Sequence, residues 1–341
     1  MSVGMVRMNE FAVVKKYSNL FLLKKTWNSI CSCNDSIFPL QYFDYYKHLF
    51  ISFYSNHILS RWRILFFRLS NGKDICIIPL VVNKKKHLIR GLSCFGRLDY
   101  EDVVSSTTDK AFVGGCIRKV LESYKGYRLE LVNLNEHGTL YGSLGDGMKF
   151  RERCVAIELS DSFDDYFSKL SKHQRQNVRT AFNKLQKESF SYKLVQYDRD
   201  NPIPSNIWRL CQRIYESRHE TKGSQLKIWI DRQKNPYTHI LRSVEGWRIY
   251  VLFHEEVPVA YMGGLLDQKQ NCYYVPRLCI NPDYSFYSPG IVLIAETIKL
   301  LIKEGVKRVD LMLGDEPYKI AMGGKTHDNF ELSCIVDDFF E

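Results

Sequence analysis

From Trp247 the chain reads as three strands joined by short polar turns, then a loop, a helix and one more strand, and few folds accept that order. "WRIYVLF" runs to the turn "HEE" (His254, Glu255, Glu256), "VPVAYMGGLLD" to "QKQ", and "NCYYVPRLCI" to the loop "NPDYSFYSPG". "IVLIAETIKLLIKEG" is then apolar over most of a helical circumference, with Glu296, Lys299 and Lys303 as its polar stripe, and "VKRVDLMLG" returns as a strand. A hairpin meander that feeds a β-α-β crossover demands a mixed sheet, because strands on either side of a crossover helix run the same way.

The start of that helix is chemically marked. Ser288 is placed to cap it, Pro289 fits the first helical position because its missing N–H costs nothing there, and Gly305 ends it. Gly290 lets a ligand approach the backbone closely. A helix N-terminus reached from a strand through a glycine-containing loop can hold an anion, although an ordinary cap has the same look. Pro276 interrupts the preceding strand, where it cannot donate to a ladder, and so predicts an edge, a bulge or a break in pairing.

The first half alternates strand-like runs with turns: "WRILFFRLS", "DICIIPLVV" and "GLSCFGRLDYEDVV", then a helix from about Thr108 to Tyr124, then the strands "YRLELVNL" and "RCVAIELS". At Ser160 the texture changes to one long amphipathic helix, "SDSFDDYFSKLSKHQRQNVRTAFNKLQKES". At about 100° per residue, Phe167, Leu170, Val178, Ala181 and Leu185 share one face. Lys169, Lys172, Arg175, Arg179 and Lys187 gather on the other, either as a solvated face or as one that grips phosphate. A second helix, "SNIWRLCQRIYESRH", precedes a polar loop.

The formal charge of +10 over 341 residues asks for an acidic partner, which nucleic acid, an anionic membrane surface or a phosphate-bearing small ligand would each supply. The ten cysteines include no CxxC, and no short-range pairing with the nine histidines marks a zinc site, so reduced, mostly buried thiols and no metal are expected. No apolar window reaches about 18 residues, and "NLFLL" is too short for a signal-peptide core, so a cytoplasmic protein is expected. The sequence sets no oligomeric state.

Two carboxylate clusters draw attention. "LDYED" (Asp99 to Asp102) packs three carboxylates into four residues after Gly96; a surface loop and a site that holds or deprotonates an amine both fit it. "RVDLMLGDEPYK" ends an apolar strand at a glycine and then releases Asp315, Glu316, Tyr318 and Lys319 together. Asp310 alternates with Val309 and Leu311 and, if buried, must have a partner.

These residues resemble one branch of the GNAT superfamily of acyl-CoA N-acyltransferases, the CelD-like acetyltransferases, which are relatives of the FemABX peptidyltransferases with two GNAT-like halves. "FDDYFSKLSKHQRQNVRTAFNKL" is similar to the family's helix with its "LS-x-x-x-R", "NPDYSFYSPGIVLIAETIKLLIKEG" to its "dP-…-SPG-…-G" segment, and "VDLMLGDEPYK" to its "D-…-G-x-x-x-YK" ending. "GRLDYEDVV" resembles an "SDY-x-D" element, with Leu98 in place of serine. One glycine stands where the superfamily's Q/R-x-x-G-x-G/A loop has two, so fewer N–H donors face a phosphate.

The resemblance implies an α+β to α/β mixed fold of two GNAT-like halves, each a mostly antiparallel mixed sheet flanked by helices, with residues 1–160 as a degenerate acceptor-side domain and 161–341 as the acyl-CoA domain. It implies that Pro276, Arg277, Ser288, Pro289 and Gly290 hold the CoA. Asp102 is then the expected base, with Asp310 and Glu316 as rivals. Tyr318 would protonate the thiolate and Lys319 would stabilise a carbonyl or phosphate oxygen. Asp99, Tyr100, Arg175 and Arg179 would bind the acceptor. The expected reaction is N-acylation of a nucleotide-linked, dTDP-type amino dideoxy sugar for a surface polysaccharide, with acyl-CoA as co-substrate, no permanently bound cofactor and no nucleic-acid partner. The rivals are a FemABX-like transferase using aminoacyl-tRNA, and a non-catalytic binder of nucleic acid or an anionic surface.

Overall fold

Two apolar runs in the first half, separated by "NGKD", form a hairpin whose register is set by the turn, and the rest of the first sheet builds on it. The computed structural model describes residues 14–57, 59–95, 98–188, 190–217, 240 and 242–340. They divide into two units, one up to Glu152 together with His327 onward, the other Arg153–Thr326. The expected domains are 1–160 and 161–341, and residues from His327 onward group with the first of these units. The final strand, Lys325–Ile335, pairs antiparallel from Asn329 onward with a strand of the first unit.

In the first unit β1 (Lys15–Tyr17), β2 (Arg63–Ser70), β3 (Ile75–Asn83) and β4 (Leu88–Arg90) pair antiparallel in order, the short β5 (Val104–Ser105) pairs with β3, and β4 runs parallel to β6 (Arg128–Asn135). α1 (Lys24–Cys33) and α2 (Phe43–Asn56) gather aromatic side chains around Trp27 and Phe66, whose rings lie 6.0 Å apart. α3 (Lys110–Leu121), capped by the Asp109 carboxylate on the Ala111 and Phe112 amides, packs Val113, Cys116, Ile117 and Val120 into a core with Leu80, Leu129 and Leu131. The run "GLSCFGRLDYEDVV" is not a strand over its length: Leu92–Phe95 form a 3₁₀ turn, Val104 opens β5, and Gly96 and Arg97 lie outside the described residues.

β7 (Lys149–Glu158), which belongs to the second unit from Arg153 on, is followed by α5 (Phe163–Lys169) and α6 (Lys172–Lys187), which the sequence suggests as one helix. The break falls at Ser171. Its hydroxyl accepts from the Gln174 amide while the Gln174 side chain accepts from the Ser171 amide, a capping box that starts a new helix. Then come β8 (Tyr192–Tyr197), α7 (Ser205–Ser217), β9 (Trp247–His254), β10 (Val257–Asp267), β11 (Cys272–Ile280), α8 (Pro289–Lys303), β12 (Arg308–Leu313) and α9 (Pro317–Ala321). The polar loop expected after α7 lies outside the described residues. The sheet order is β7-β12-β11-β10-β9-β8, antiparallel except for β11 and β12, as the meander and crossover require. α8 buries Val292, Leu293, Ile294, Ala295 and Ile298 against Tyr250, Leu252, Ala260, Met262 and Val275 on one face of that sheet. α7 packs on β10 and β11 through Trp208, which meets Tyr261 edge-on, and Tyr215, which meets Arg277. Because side chains alternate along a strand, Tyr261 and Met262 point to opposite faces, and α7 and α8 cover the two sides. Among the described residues no helix is long and apolar enough to cross a membrane.

Candidate active site

The sheet of the second unit comes apart where the sequence places Pro276. β11 and β12 pair only from Cys272–Arg308 to Tyr274–Asp310, and beyond that β11 continues to Ile280 without β12 beside it. Both strands are bulged at the parting. Tyr274 and Arg277 of β11 face Leu265 and Gly263 of β10, so β11 holds one extra residue at Val275–Pro276. β12 holds an extra residue between Asp310 and Leu313, with Met312 at φ +57° and its amide donating to Asp310 Oδ1 at 2.9 Å. Gly264 backs the parting on the third strand, where a Cβ would lie 2.1 Å from the Tyr274 carbonyl oxygen, so no other residue fits. The result is a slot whose β11 wall has lost its ladder partner, which the position of Pro276 allows without an orphaned N–H.

The bulge also corrects one expectation. Alternation would put Arg277 on the side of Tyr273 and Val275, facing α8. The extra residue reverses the parity, so Leu278 and Ile280 face α8 while Arg277 lies under α7, its guanidinium 3.9 Å from the Tyr215 ring. Ser288, Pro289 and Gly290 do stand at the start of α8. Ser288 is left-handed (φ 51°, ψ 49°) and makes no side-chain cap, contrary to the role expected of it. The Gly290 amide has no acceptor among the described residues, and a Cβ there would meet only Ile280 Cγ2, at 3.1 Å. An open helix end with a free N–H, beside the strand that the bulge sets free, is a place for an anion.

The cluster after β12 is mostly a clamp. Lys319 is buried, and its Nζ donates to the carbonyls of Leu313 (2.5 Å) and Gly314 (2.9 Å) while pairing with Glu316 Oε2 at 2.9 Å. Its protons are taken by the strand end, so the oxygen-stabilising role expected of it is replaced by a structural one. Asp315 pairs with Arg153 at 3.4 Å on the surface. Asp310 is buried, bonded to the Met312 amide and 3.6 Å from Arg308 Nη2. Tyr318 is half-buried against the core, while Glu316 remains open to solvent.

The basic face of α6 is partly structural too. Arg175 donates to the carbonyls of Ser168 (2.8 Å) and Leu170 (2.5 Å), sealing the end of α5, and Arg179 stacks 5.5 Å over Phe167. Arg175 is half-buried in that role, while Arg179 stays exposed.

In the first unit, Asp102 is buried and bound three times. Oδ1 accepts from the amides of Val103 (2.8 Å) and Leu140 (2.7 Å), and Oδ2 from Thr139 (2.9 Å). It caps the short helix α4 (Thr139–Ser143). Burial pushes its carboxyl up to about 6 despite those amides. Its neighbour Glu101, which the sequence reading passed over, accepts from the Ser93 amide at 2.6 Å and is pushed by burial up to about 7. Asp99 offers its carbonyl to Asn329, and Tyr100 is fully buried, its carbonyl taken by Gln41 and its hydroxyl 3.4 Å from His327 Nε2. Tyr100 thus sits inside a polar network, not on an acceptor surface.

That network also brings Glu136, His137 and His327 within 4.8 Å of one another, a set of metal-ligand types that the distance between them in sequence had hidden. Asn135 Nδ2 donates to His327 Nδ1 at 3.0 Å, and the same amide is fixed by Asn329 Oδ1 and by the His137 N–H. The His327 lone pair on that nitrogen is therefore occupied.

Two raised carboxyls have a consequence for stability. A folded-state value above the unfolded one (4.5 for Glu101, 3.8 for Asp102) means the native state holds protons that the unfolded chain has lost. Stability is then greatest below the unfolded values and declines as pH rises through about 7. Glu101→Gln, whose amide oxygen can still accept from Ser93, is expected to gain on the wild type in melting temperature as pH climbs from 5 to 8. A constant gap across that range contradicts the assignment.

Residues 172–320 match the family described as acetyltransferase (GNAT) domain. No curated protein matches the chain. Among solved structures, the chain is similar in fold to L-PGS from Bacillus licheniformis (13% identity, TM-score 0.53, covering 90% of each chain). It is similar also to a conserved protein of unknown function from Bacteroides thetaiotaomicron (12%, 0.54, 95% of this chain and 100% of that one). FemX is a third (10%, 0.51, 85% and 92%).

Proposed function

We propose that this acyltransferase, whose residues 172–320 are its GNAT domain, moves an acyl group from acyl-CoA to the amine of a nucleotide-linked amino sugar. The observation that carries the donor is the slot between β11 and β12 beside the open start of α8. The pyrophosphate would take the Gly290 amide and the helix end, and the pantetheine arm would lie along the unpaired edge of β11 from Val275 to Ile280. A strand edge offers N–H groups for the arm's amides and for the thioester oxygen as it gains charge.

In the reaction the amine nitrogen attacks the thioester carbon, the C–N bond forms and the C–S bond breaks. The amine loses a proton and the departing thiolate gains one. Asp102 is bound to three amides and Asp310 is buried at the parting, so of the three carboxylates considered Glu316 is the one from which a proton can pass to solvent. Tyr318, following the strand tip, is the proposed proton donor to sulfur. A thiol-release assay over a panel of amino-sugar nucleotides and short acyl-CoAs tests the reaction, and a flat response across the panel overturns the acceptor.

The donor site has its own prediction. Gly290→Asp puts a negative charge where the anion would sit, in a position whose only near neighbour is one methyl group. The dissociation constant for CoA is expected to rise at least tenfold. The melting temperature should hold, since an acidic residue in the first turn of a helix is favourable. Unchanged CoA affinity would place the phosphates elsewhere.

A second reading keeps the transfer and replaces the donor with aminoacyl-tRNA. The charge of +10 favours it, and so does the single free amide at the start of α8. It predicts tRNA binding that weakens steeply with salt. Binding insensitive to salt, or none, removes it.

A further inference from the structure

On the sheet face opposite α8, beside the slot, lies a set of buried polar groups that the reaction as described does not use. Tyr261 is completely buried, and the one group beside its hydroxyl among the described residues is the Cys279 thiol, a weak acceptor. Gln212 and Trp208, one turn apart on α7, are 5% exposed each, and neither Gln212 Nε2 nor Trp208 Nε1 has an acceptor. Trp208 meets the Tyr261 ring at 6.3 Å, and Tyr261 is paired with Cys279, two residues along β11 from Arg277. Gly263, directly across from Arg277, puts no side chain on that face.

Three features make this more than loose packing. The under-satisfied atoms of these three side chains are all donors: an amide N–H₂ and an indole N–H without an acceptor, and an O–H with only a thiol beside it. Burial holds the Tyr261 phenol well above its ordinary range, so it keeps its proton. A buried donor left without an acceptor costs about 1–3 kcal/mol, and two on one short stretch of helix, beside a third that has only a thiol, is a cost that a protein keeps only when something else supplies the acceptors. The Arg277 guanidinium lies on the same face, stacked on Tyr215, and Glu216, one turn past Gln212 on α7, is buried there too.

We infer that this α7-facing cluster, built on Trp208, Gln212, Tyr261 and Arg277, binds an anionic oxygen group (phosphate or carboxylate) of the acceptor. The inference rests on the acyl-transfer reading. The donor then reaches the slot from the α8 side and the acceptor from the α7 side, with the amine and the thioester meeting where β11 has left β12.

The test is calorimetric titration of the full chain, wild type and the Tyr261→Phe and Gln212→Leu variants, with inorganic pyrophosphate and, at matched ionic strength, with succinate. Among the described residues Gln212→Leu removes no hydrogen bond and Tyr261→Phe only the weak one to the Cys279 thiol, so both variants should melt close to the wild-type temperature and bind CoA unchanged. Both should bind the anion at least tenfold more weakly. Stronger wild-type binding of pyrophosphate points to a phosphate-bearing acceptor, and stronger binding of succinate to a carboxylate. Wild-type-like anion binding in both variants overturns the inference, and so does a fall in melting temperature that accompanies the loss, because it would make the donors structural. Failure of the wild type to bind CoA would instead strike at the donor reading. The anion titrations need no CoA and would be judged by the same comparison.

Discussion

Asp102→Ala is expected to lower the melting temperature by roughly 10 °C. The carboxylate is the acceptor for three buried or half-buried amides, two of them at the start of α4. Stranding buried donors costs about 1–3 kcal/mol each. Relief of the desolvated charge offsets part of that, leaving about 3 kcal/mol, and a unit of this size loses roughly 2–4 °C per kcal/mol. Asp102→Asn should fare only a little better. Oδ1 can still serve Val103 and Leu140, but an N–H₂ at the other position faces the Thr139 amide donor to donor. Thermal unfolding of the two variants separates this role from the general-base role that the sequence had implied. A base would lose turnover with its melting temperature intact.

Lys319→Met is the second large effect. The ammonium group ties the carbonyls of Leu313 and Gly314 to Glu316 and holds the chain reversal after β12, where Gly314 stands at φ +91°. Methionine matches the length and apolar stem but leaves those carbonyls without their donor in a buried setting. A loss of about 1–3 kcal/mol follows from leaving part-buried carbonyl acceptors without their donor. Denaturant midpoints should fall accordingly, and the slot should suffer with them, since β12 forms one of its walls. A variant of wild-type stability that has lost only turnover would return Lys319 to the chemical role expected from its sequence context.

What could be read from the sequence was local. The Ser-Pro-Gly start, the apolar helix and the Gly305 stop of α8 all depend on neighbours within one turn, and Pro276 carries its own geometric consequence wherever it sits in a strand. What escaped depended on pairings made by the fold. Nothing near Asp102 in sequence shows that the amides of Thr139 and Leu140 will close on it. The family resemblance puts Arg277 on the donor side, and one extra residue at the bulge turns it to the other face. The break between α5 and α6 was readable in principle, since Ser171 and Gln174 stand in capping-box spacing, but the continuous amphipathic pattern on either side masked it. The donors on α7 show no sequence signal, because Gln212 and Trp208 look like any polar and aromatic residues on a helix until their lack of partners is seen.

The central claim is that the slot and the open start of α8 receive acyl-CoA, and amide hydrogen exchange with and without acetyl-CoA tests it most directly. The account predicts slower exchange in two segments, Val275–Ile280 on the β11 edge and Gly290–Val292 at the start of α8, with β2 and β3 of the first unit unchanged. Protection that spares both segments, at a concentration where acetyl-CoA is shown to bind, would contradict it.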